Sequence, residues 1–241
     1  MKNSVDIQGL VLSNQEYKDN DAIVTLLTQE GVMKIYARGV LKSTSKNRRI
    51  CQPFSLVEYT IQQRSNGFDL LMSGHLKEYY YKIQEDLVSQ SVCFVLRDCI
   101  VHLQQNEKVY DHLLHTWQAL HNQGQNAISF AILTLRELMR LDGIVPYISG
   151  CIRCGRTDRI ETISLEDGGF VCRGCNSGQF PKYQKEEIIK IYSLFHAKDY
   201  QDEKLLETYS FSIDDLIYWA RWIEHHSHLR LDSLRFLQSV A

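Results

Sequence analysis

Long apolar runs are missing from this chain: none exceeds five residues, the length of Val92 to Leu96. A membrane-spanning helix needs about twenty. The N-terminus also lacks a cationic segment followed by a hydrophobic stretch, so neither a membrane span nor a secretory signal is expected and the chain is assigned to the cytoplasm. Signatures of catalysis are equally scarce. The sequence holds no phosphate-cradling glycine loop, no strand-to-helix serine elbow, no HExxH and no spaced carboxylate set that stands out from surface charge, which points away from an enzyme. Proline occurs three times, and glycine is almost absent from two stretches: residues 75 to 142 contain only Gly124, and nothing after 178 contains any. Helices are expected there, with turns and strands before them and a glycine-rich interruption, seven glycines from 143 to 178, between them.

That interruption holds four of the seven cysteines, as Cys151-x-x-Cys154 and Cys172-x-x-Cys175 with seventeen residues between the pairs. Two such pairs at that separation read as a zinc site. Four thiolates fill a tetrahedral shell and leave no position for water or substrate, so the metal is expected to be single and structural. An odd cysteine count and no secretory signal argue against two disulfides. Gly155 and Gly174 are placed where a tight knuckle needs positive φ, and Asp167-Gly168-Gly169 reads as the hairpin turn that brings the second pair to the first.

Net charge is −2, which says little about a polyanionic partner, but its distribution says more. Residues 34 to 49 carry Lys34, Arg38, Lys42, Lys46, Arg48 and Arg49 and no acid, so this segment is +6 and the remainder −8. The functional reading is a phosphate-binding edge, with Tyr36 as a stacking surface; the bland one is a solvated loop. No base-reading motif accompanies it, so binding is expected to follow the backbone and tolerate any sequence.

At 241 residues and 44% hydrophobic content the chain can bury a sizeable core in two or three units. Turn residues divide the first part into five short strands, at about 5 to 12, 21 to 28, 31 to 39, 54 to 63 and 67 to 76. Such a set suits a small closed barrel, an OB-fold or an SH3-like barrel. Beyond Tyr79 the apolar spacing becomes helical: Val92, Val95, Leu96, Cys99 and Leu103, then Val109, Leu113, Trp117 and Leu120, then Ile128, Ala131, Ile132, Leu135 and Met139. Asn126 is expected to cap the third helix and Gly143 to stop it, while Ser212 to Asp215 reads as a capping box. The resulting class is multi-domain α+β: a barrel over 1–79, a first helical part over 80–149, an inserted four-cysteine module over 150–180 and a second helical part over 181–241.

Weaker features each have a structural explanation. Arg153, Arg156 and Arg173 offset the charge of a zinc tetrathiolate more simply than they bind phosphate. Glu224, His225, His226 and His228 read as a helix end, where charged histidine suits the dipole, rather than a second metal site. Cys51 beside Arg48 and Arg49 reads as a spectator thiol, and Cys93 and Cys99 as core residues.

Taken in order, Gly9-Leu10-Val11-Leu12, Tyr17, Asp21, Thr28, Gly31, Ala37-Arg38-Gly39, Gln52-Pro53-Phe54, Leu135-Arg136-Glu137-Leu138, Gly143, Pro146, Cys151-x-x-Cys154-Gly155, Gly168-Gly169-Phe170 and Cys172-x-x-Cys175 resemble the RecO family of bacterial recombination mediators. The resemblance implies an N-terminal OB-fold, a helical domain and a zinc module. It implies a protein that binds single- and double-stranded DNA, anneals complementary strands, engages the acidic tail of the single-strand-binding protein and acts with RecR to load RecA, in the cytoplasm at the nucleoid. The DNA contacts carry over to the six cations of 34–49. No motif marks the tail site, although Arg136 and Arg140 share a helix face. Two other classes stay open: a nucleic-acid adaptor of the zinc-ribbon kind without annealing activity, and a metal-dependent nuclease.

Overall fold

The computed structural model describes residues 4–103, 107–124, 126–197 and 202–241. Strands β1 (Ser4–Tyr17), β2 (Asp21–Thr28), β3 (Gly31–Ala37), β4 (Ser55–Gln62) and β5 (Asp69–Tyr79) form a closed barrel in the order β1-β2-β3-β5-β4. All neighbours are antiparallel except β3 and β5, whose parallel pairing of Ile35 with Asp69 and Tyr36 with Leu70 closes the cylinder. Alternation sets the register. Along β4, Ser55, Val57, Tyr59 and Ile61 face inward while Leu56, Glu58, Thr60 and Gln62 stay partly exposed.

Strand β1 is longer than its apolar residues suggest. Its second half, Ser13 to Tyr17, is polar and pairs only with β2, and the register shifts between Val11 and Ser13. This half of β1 lies at the sheet's edge with its own side chains largely exposed, so it carries no hydrophobic alternation and the sequence pattern ends where it begins. The 38–54 segment joins β3 to β4. Val40, Ile50 and Cys51 turn into the barrel core beside Val57, Tyr59 and Leu71, and the Tyr59 hydroxyl donates to the Ile50 carbonyl at 2.7 Å. A Cβ at Gly74 would meet Tyr59 Cδ1 at 2.6 Å and Ile50 Cδ1 at 3.0 Å. Glycine there lets the segment lie against the sheet.

The helices are α1 (Tyr81–Glu85), α2 (Leu87–His102), α3 (Tyr110–His121), α4 (Ala127–Leu141), α5 (Arg173–Asn176), α6 (Lys185–His196), α7 (Glu203–Thr208), α8 (Ile213–His226) and α9 (Asp232–Val240). Helices from both sides of the cysteine segment share one core: Val95 and Leu96 of α2, Trp117 of α3, Leu135 of α4, Leu194 of α6, Trp219 of α8 and Leu234 of α9. Gly143, at φ +72, ends α4 as expected: Ile144 N–H donates to the Met139 carbonyl and Gly143 N–H to that of Arg140. Asn126 does stand before α4, but its side chain makes no capping hydrogen bond. Ser212 and Asp215 complete the capping box of α8.

Barrel and helices are joined by packing. Leu10, Leu12, Leu27, Phe54 and Tyr80 belong to the helical core and not to the barrel's own. The Phe54 ring lies 5.7 Å from Trp117 and 5.9 Å from Phe94. Its backbone takes φ +65, its N–H donates to the Val11 carbonyl, and its carbonyl accepts from Tyr80 N–H. Replacing Phe54 with alanine is expected to cost about 3–5 kcal/mol in urea unfolding; a loss below ~1 kcal/mol contradicts its role as the joint.

Candidate nucleic-acid interface and four-cysteine centre

The 34–49 cations are placed by the apolar residues among them. Lys34 leaves β3 outward between the inward Ile35 and the half-buried Met33, and Arg38 follows buried Ala37. From there the segment alternates between anchor and charge, Val40 and Ile50 inward, Lys42, Lys46, Arg48 and Arg49 outward. All six cations are exposed, and none forms an ion pair among the described residues. Six charges outside any such ion pair on one segment attract counter-ions and polyanions.

Asp21 does the remaining pinning. Its carboxylate accepts from the Gly39 N–H at 2.7 Å and from the Tyr36 hydroxyl, and Leu41 N–H donates to the neighbouring Asn20 carbonyl at 2.9 Å. The hydrogen bond from Tyr36, then that from Gly39, hold the Asp21 carboxyl below the usual carboxylate range, against a small desolvation effect and with help from Arg38 and Lys18. A depressed folded-state pKa means that the tether is fully formed at neutral pH and is released only as pH falls through that lowered value. Tyr36, read from sequence as an open stacking surface, is half-buried, with its hydroxyl taken by Asp21, the Tyr17 ring edge-on at 6.0 Å and the Arg64 guanidinium 5.7 Å from its centroid.

Cys51 lies under this loop, and burial pushes its thiol up to about 11, with the hydrogen bond from Tyr59 opposing. Burial likewise raises Cys93 and Cys99 in α2. The spectator and core readings of these three therefore hold.

The other cysteines converge. Each contributes one sulfur, and the four sulfurs of Cys151, Cys154, Cys172 and Cys175 lie within 4.8 Å of one another, with Cys154 and Cys172 at 3.7 Å. A Zn–S bond of ~2.3 Å sets tetrahedron edges of ~3.8 Å, so the sulfurs stand at a separation that a zinc ion fits. Strands β6 (Ile160–Ser164) and β7 (Gly169–Cys172) form the hairpin between the pairs. Gly155, at φ +74, turns the first knuckle, and its N–H donates to the Cys151 carbonyl at 2.8 Å. A Cβ at Gly169 would meet the Tyr147 carbonyl at 2.5 Å, where Tyr147 bridges to the hairpin. Gly174, expected at positive φ, lies inside α5 instead. The left-handed turn falls on Ser177 and Gly178, because the second knuckle is a helical turn and reverses only at its end.

The thiols of the cluster differ in how readily they ionise. Burial opposes ionisation of Cys151, but backbone hydrogen bonds from Cys172, Arg153 and Cys154 outweigh it and bring that thiol down to about 6. Cys175 moves the opposite way, up to about 12, through its hydrogen bond to Cys154, burial and the remaining sulfurs. Zinc binds cysteine as thiolate, so an ion held here would draw all four thiols to the ionised form.

Arg153 fulfils the bland expectation. It pairs with Asp167 at 2.7 Å, donates to the Cys175 carbonyl at 2.9 Å and lies over Phe180, which binds both knuckles to the hairpin turn. Arg156 pairs with Asp158 at 3.5 Å. Asn176 was not singled out in the sequence. It is fully buried, donates to Glu161 and to the Phe180 carbonyl, and accepts from Phe180 N–H, closing the second knuckle.

One surface reading needs correction. Arg136 is 3% exposed, and its Nη1 donates to the Ala197 carbonyl at 2.6 Å and the Leu194 carbonyl at 3.4 Å. It neutralises the C-terminal end of α6 and offers nothing to a partner. Arg140 is exposed but paired with Glu137 at 2.9 Å. At the end of α8, burial and then His225 lower the pKa of His226, which disfavours the positive charge expected there. Glu224 accepts from Leu231 N–H at 2.9 Å, and the four cysteines are the one metal-type cluster found among the described residues.

Fold and site thus define a barrel-and-helix protein with a four-cysteine centre of metal-binding type. Residues 1–80 match the family described as Recombination protein O N terminal, and residues 87–179 match Recombination protein O C terminal. A DNA repair protein RecO from Exiguobacterium sibiricum is 32% identical over 250 residues, covering 97% of this chain and 96% of that protein. One from Bacillus pumilus is 30% identical over 198 residues, with 80% and 77% covered, and one from Bacillus subtilis is 24% identical over 242, with 97% and 93% covered. The chain belongs to the RecO family of DNA repair proteins. No described helix is long and apolar enough to cross a membrane.

Removing the Asp21 carboxylate (Asp21→Ala) is expected to loosen the loop without unfolding the barrel. Trypsin cleavage at Lys42, Lys46, Arg48 and Arg49 should accelerate several-fold at pH 8 while the thermal midpoint changes little. Equal cleavage rates contradict the tether.

Proposed function

We propose that this chain is a non-enzymatic recombination mediator that holds DNA on the cationic segment of its barrel and brings complementary strands together. The observation that carries the reading is the set of six exposed cations, Lys34, Arg38, Lys42, Lys46, Arg48 and Arg49, on a segment whose underside is locked into the barrel core. A surface of that kind contacts phosphates and reads no bases. Annealing follows from electrostatics, since two polyanions drawn to one cationic surface have their mutual repulsion screened. The strand order β1-β2-β3-β5-β4 supports an OB-fold rather than an SH3-like barrel. The division into a barrel at 1–79, helical parts at 80–149 and 181–241 and a module at 150–180 belongs to this proposal. So do cooperation with RecR and with the tail of the single-strand-binding protein, loading of RecA, and residence at the nucleoid. Family membership supports these partners; no site for them is assigned.

Cys151, Cys154, Cys172 and Cys175 would hold one structural zinc, and four thiolates would leave it no open coordination position. Its effect reaches the body, because Ile163 and Phe170 of the hairpin insert into the helical core. Metal analysis is expected to return about one zinc per chain, lost in Cys151→Ser/Cys154→Ser together with a lower melting temperature; intact thiols without zinc contradict the assignment.

Charge reversal at Lys42, Lys46, Arg48 and Arg49 together is expected to weaken single-strand binding and to flatten the dependence of log K on log salt by about 0.7 per lost phosphate contact. Unchanged affinity and slope exclude this segment as the DNA site.

A further inference from the structure

Barrel closure brings to one region residues that the 34–49 window does not contain. Three aromatic rings lie there. Tyr17, at the end of β1, is 44% exposed; Phe68, in the β4–β5 turn, is also 44% exposed; and Tyr36 stands half-buried on β3. The parallel pairing of Ile35 with Asp69 puts Phe68 at the level of Lys34, one residue earlier on each strand. Tyr17 pairs with Asp21, whose carboxylate holds Tyr36, and the Tyr17 and Tyr36 rings meet edge to face. A cation accompanies each tyrosine: Lys18 Nζ lies 5.2 Å from the Tyr17 centroid and the Arg64 guanidinium 5.7 Å from that of Tyr36. Lys18 and Arg64 come from the β1–β2 and β4–β5 turns, and neither forms an ion pair among the described residues. Nearby carboxylates do not close the surface. Asp21 is engaged by Tyr36 and Gly39, Asp69 accepts from the Arg64 backbone N–H at 3.0 Å, and Glu16 and Asp19, next to Tyr17 and Lys18 in the chain, are exposed.

Neither of the two large exposed rings belongs to a hydrophobic core cluster, and the edge of Tyr36 is the one ring contact recorded for Tyr17 among the described residues. Rings interleaved with cations match the chemistry of unpaired nucleotides, whose bases offer π-faces that a duplex keeps stacked inside. A basic loop alone attracts single strands and duplex alike.

We propose that Tyr17 and Phe68, with Lys18, Arg64 and the half-buried Tyr36, form a base-stacking platform that gives the barrel its preference for single-stranded over double-stranded DNA. This rests on the DNA-binding reading above and adds the element that tells the two forms apart. During annealing, such a platform releases its bases as they pair and leaves the duplex held by phosphate contacts alone.

The test measures binding of the full chain to three fluorescent probes at several salt concentrations: a thymidine single strand, an abasic strand of equal length and a hairpin duplex. Tyr17→Ala/Phe68→Ala is expected to lose about tenfold or more per ring on the thymidine strand. It should bind the duplex and the abasic strand as the unaltered chain does, with the same salt slope and melting temperature. Tyr17→Phe/Phe68→Trp should restore the preference. Equal affinity of the alanine variant and the unaltered chain for the thymidine strand overturns the platform, and so does an equal loss on all three probes. If the unaltered chain binds none of the probes, the DNA-binding reading itself fails and the platform falls with it.

Discussion

Burial of Val40, Ile50 and Cys51 in the barrel decides where the charge of the 34–49 segment can go. Once those side chains lie beside Val57, Tyr59 and Leu71, the lysines and arginines between them have only solvent to face. Burying one of them unpaired would cost several kcal/mol, while the three apolar side chains gain by leaving water. Tyr59 fixes the arrangement from within by donating to Ile50, and Asp21 fixes it from without through Gly39 and Tyr36. A loop with six like charges would otherwise spread by self-repulsion. The structure holds it in one shape, which lowers the ordering cost that any polyanion would meet on binding.

Two further constraints connect that loop to the rest of the molecule. Phe54, a few residues beyond the segment, leaves the barrel for the helical core and packs against Trp117 and Phe94, so the loop's far end is held by the body. The body in turn takes part of its core from the cysteine hairpin through Ile163 and Phe170. The four sulfurs beside that hairpin converge within 4.8 Å of one another, a separation that suits one metal ion. The chain of dependence runs from a metal-type centre to a helical core, from that core to the barrel, and from the barrel to an ordered cationic surface.

Local pattern made much of this legible in the sequence. Five strands, the helical stripes, the capping box at Ser212 and the paired cysteines each follow from residues close together along the chain. What was not legible is non-local. Ser13 to Tyr17 extends β1 with no hydrophobic alternation, because only its pairing with β2 makes it a strand. Arg136 reads as surface charge until the end of α6, some sixty residues later, brings it two carbonyls. Gly174 and His226 were assigned by residue type, and the helical knuckle and the packing against Trp222 override that type. Asp21 carried only a hint, a lone acid opening an apolar strand, and its role needed the β3 exit beside it. Lys18, Arg64 and Phe68 join the basic segment only through barrel closure.

The most direct measurement mixes two complementary labelled strands, each coated with single-strand-binding protein, and follows them on a gel with and without this protein. The account predicts duplex formed faster in its presence, with both strands intact, and no acceleration by the chain reversed in charge at Lys42, Lys46, Arg48 and Arg49. Strands that stay apart would contradict it in favour of a passive nucleic-acid adaptor, and fragments in favour of a nuclease.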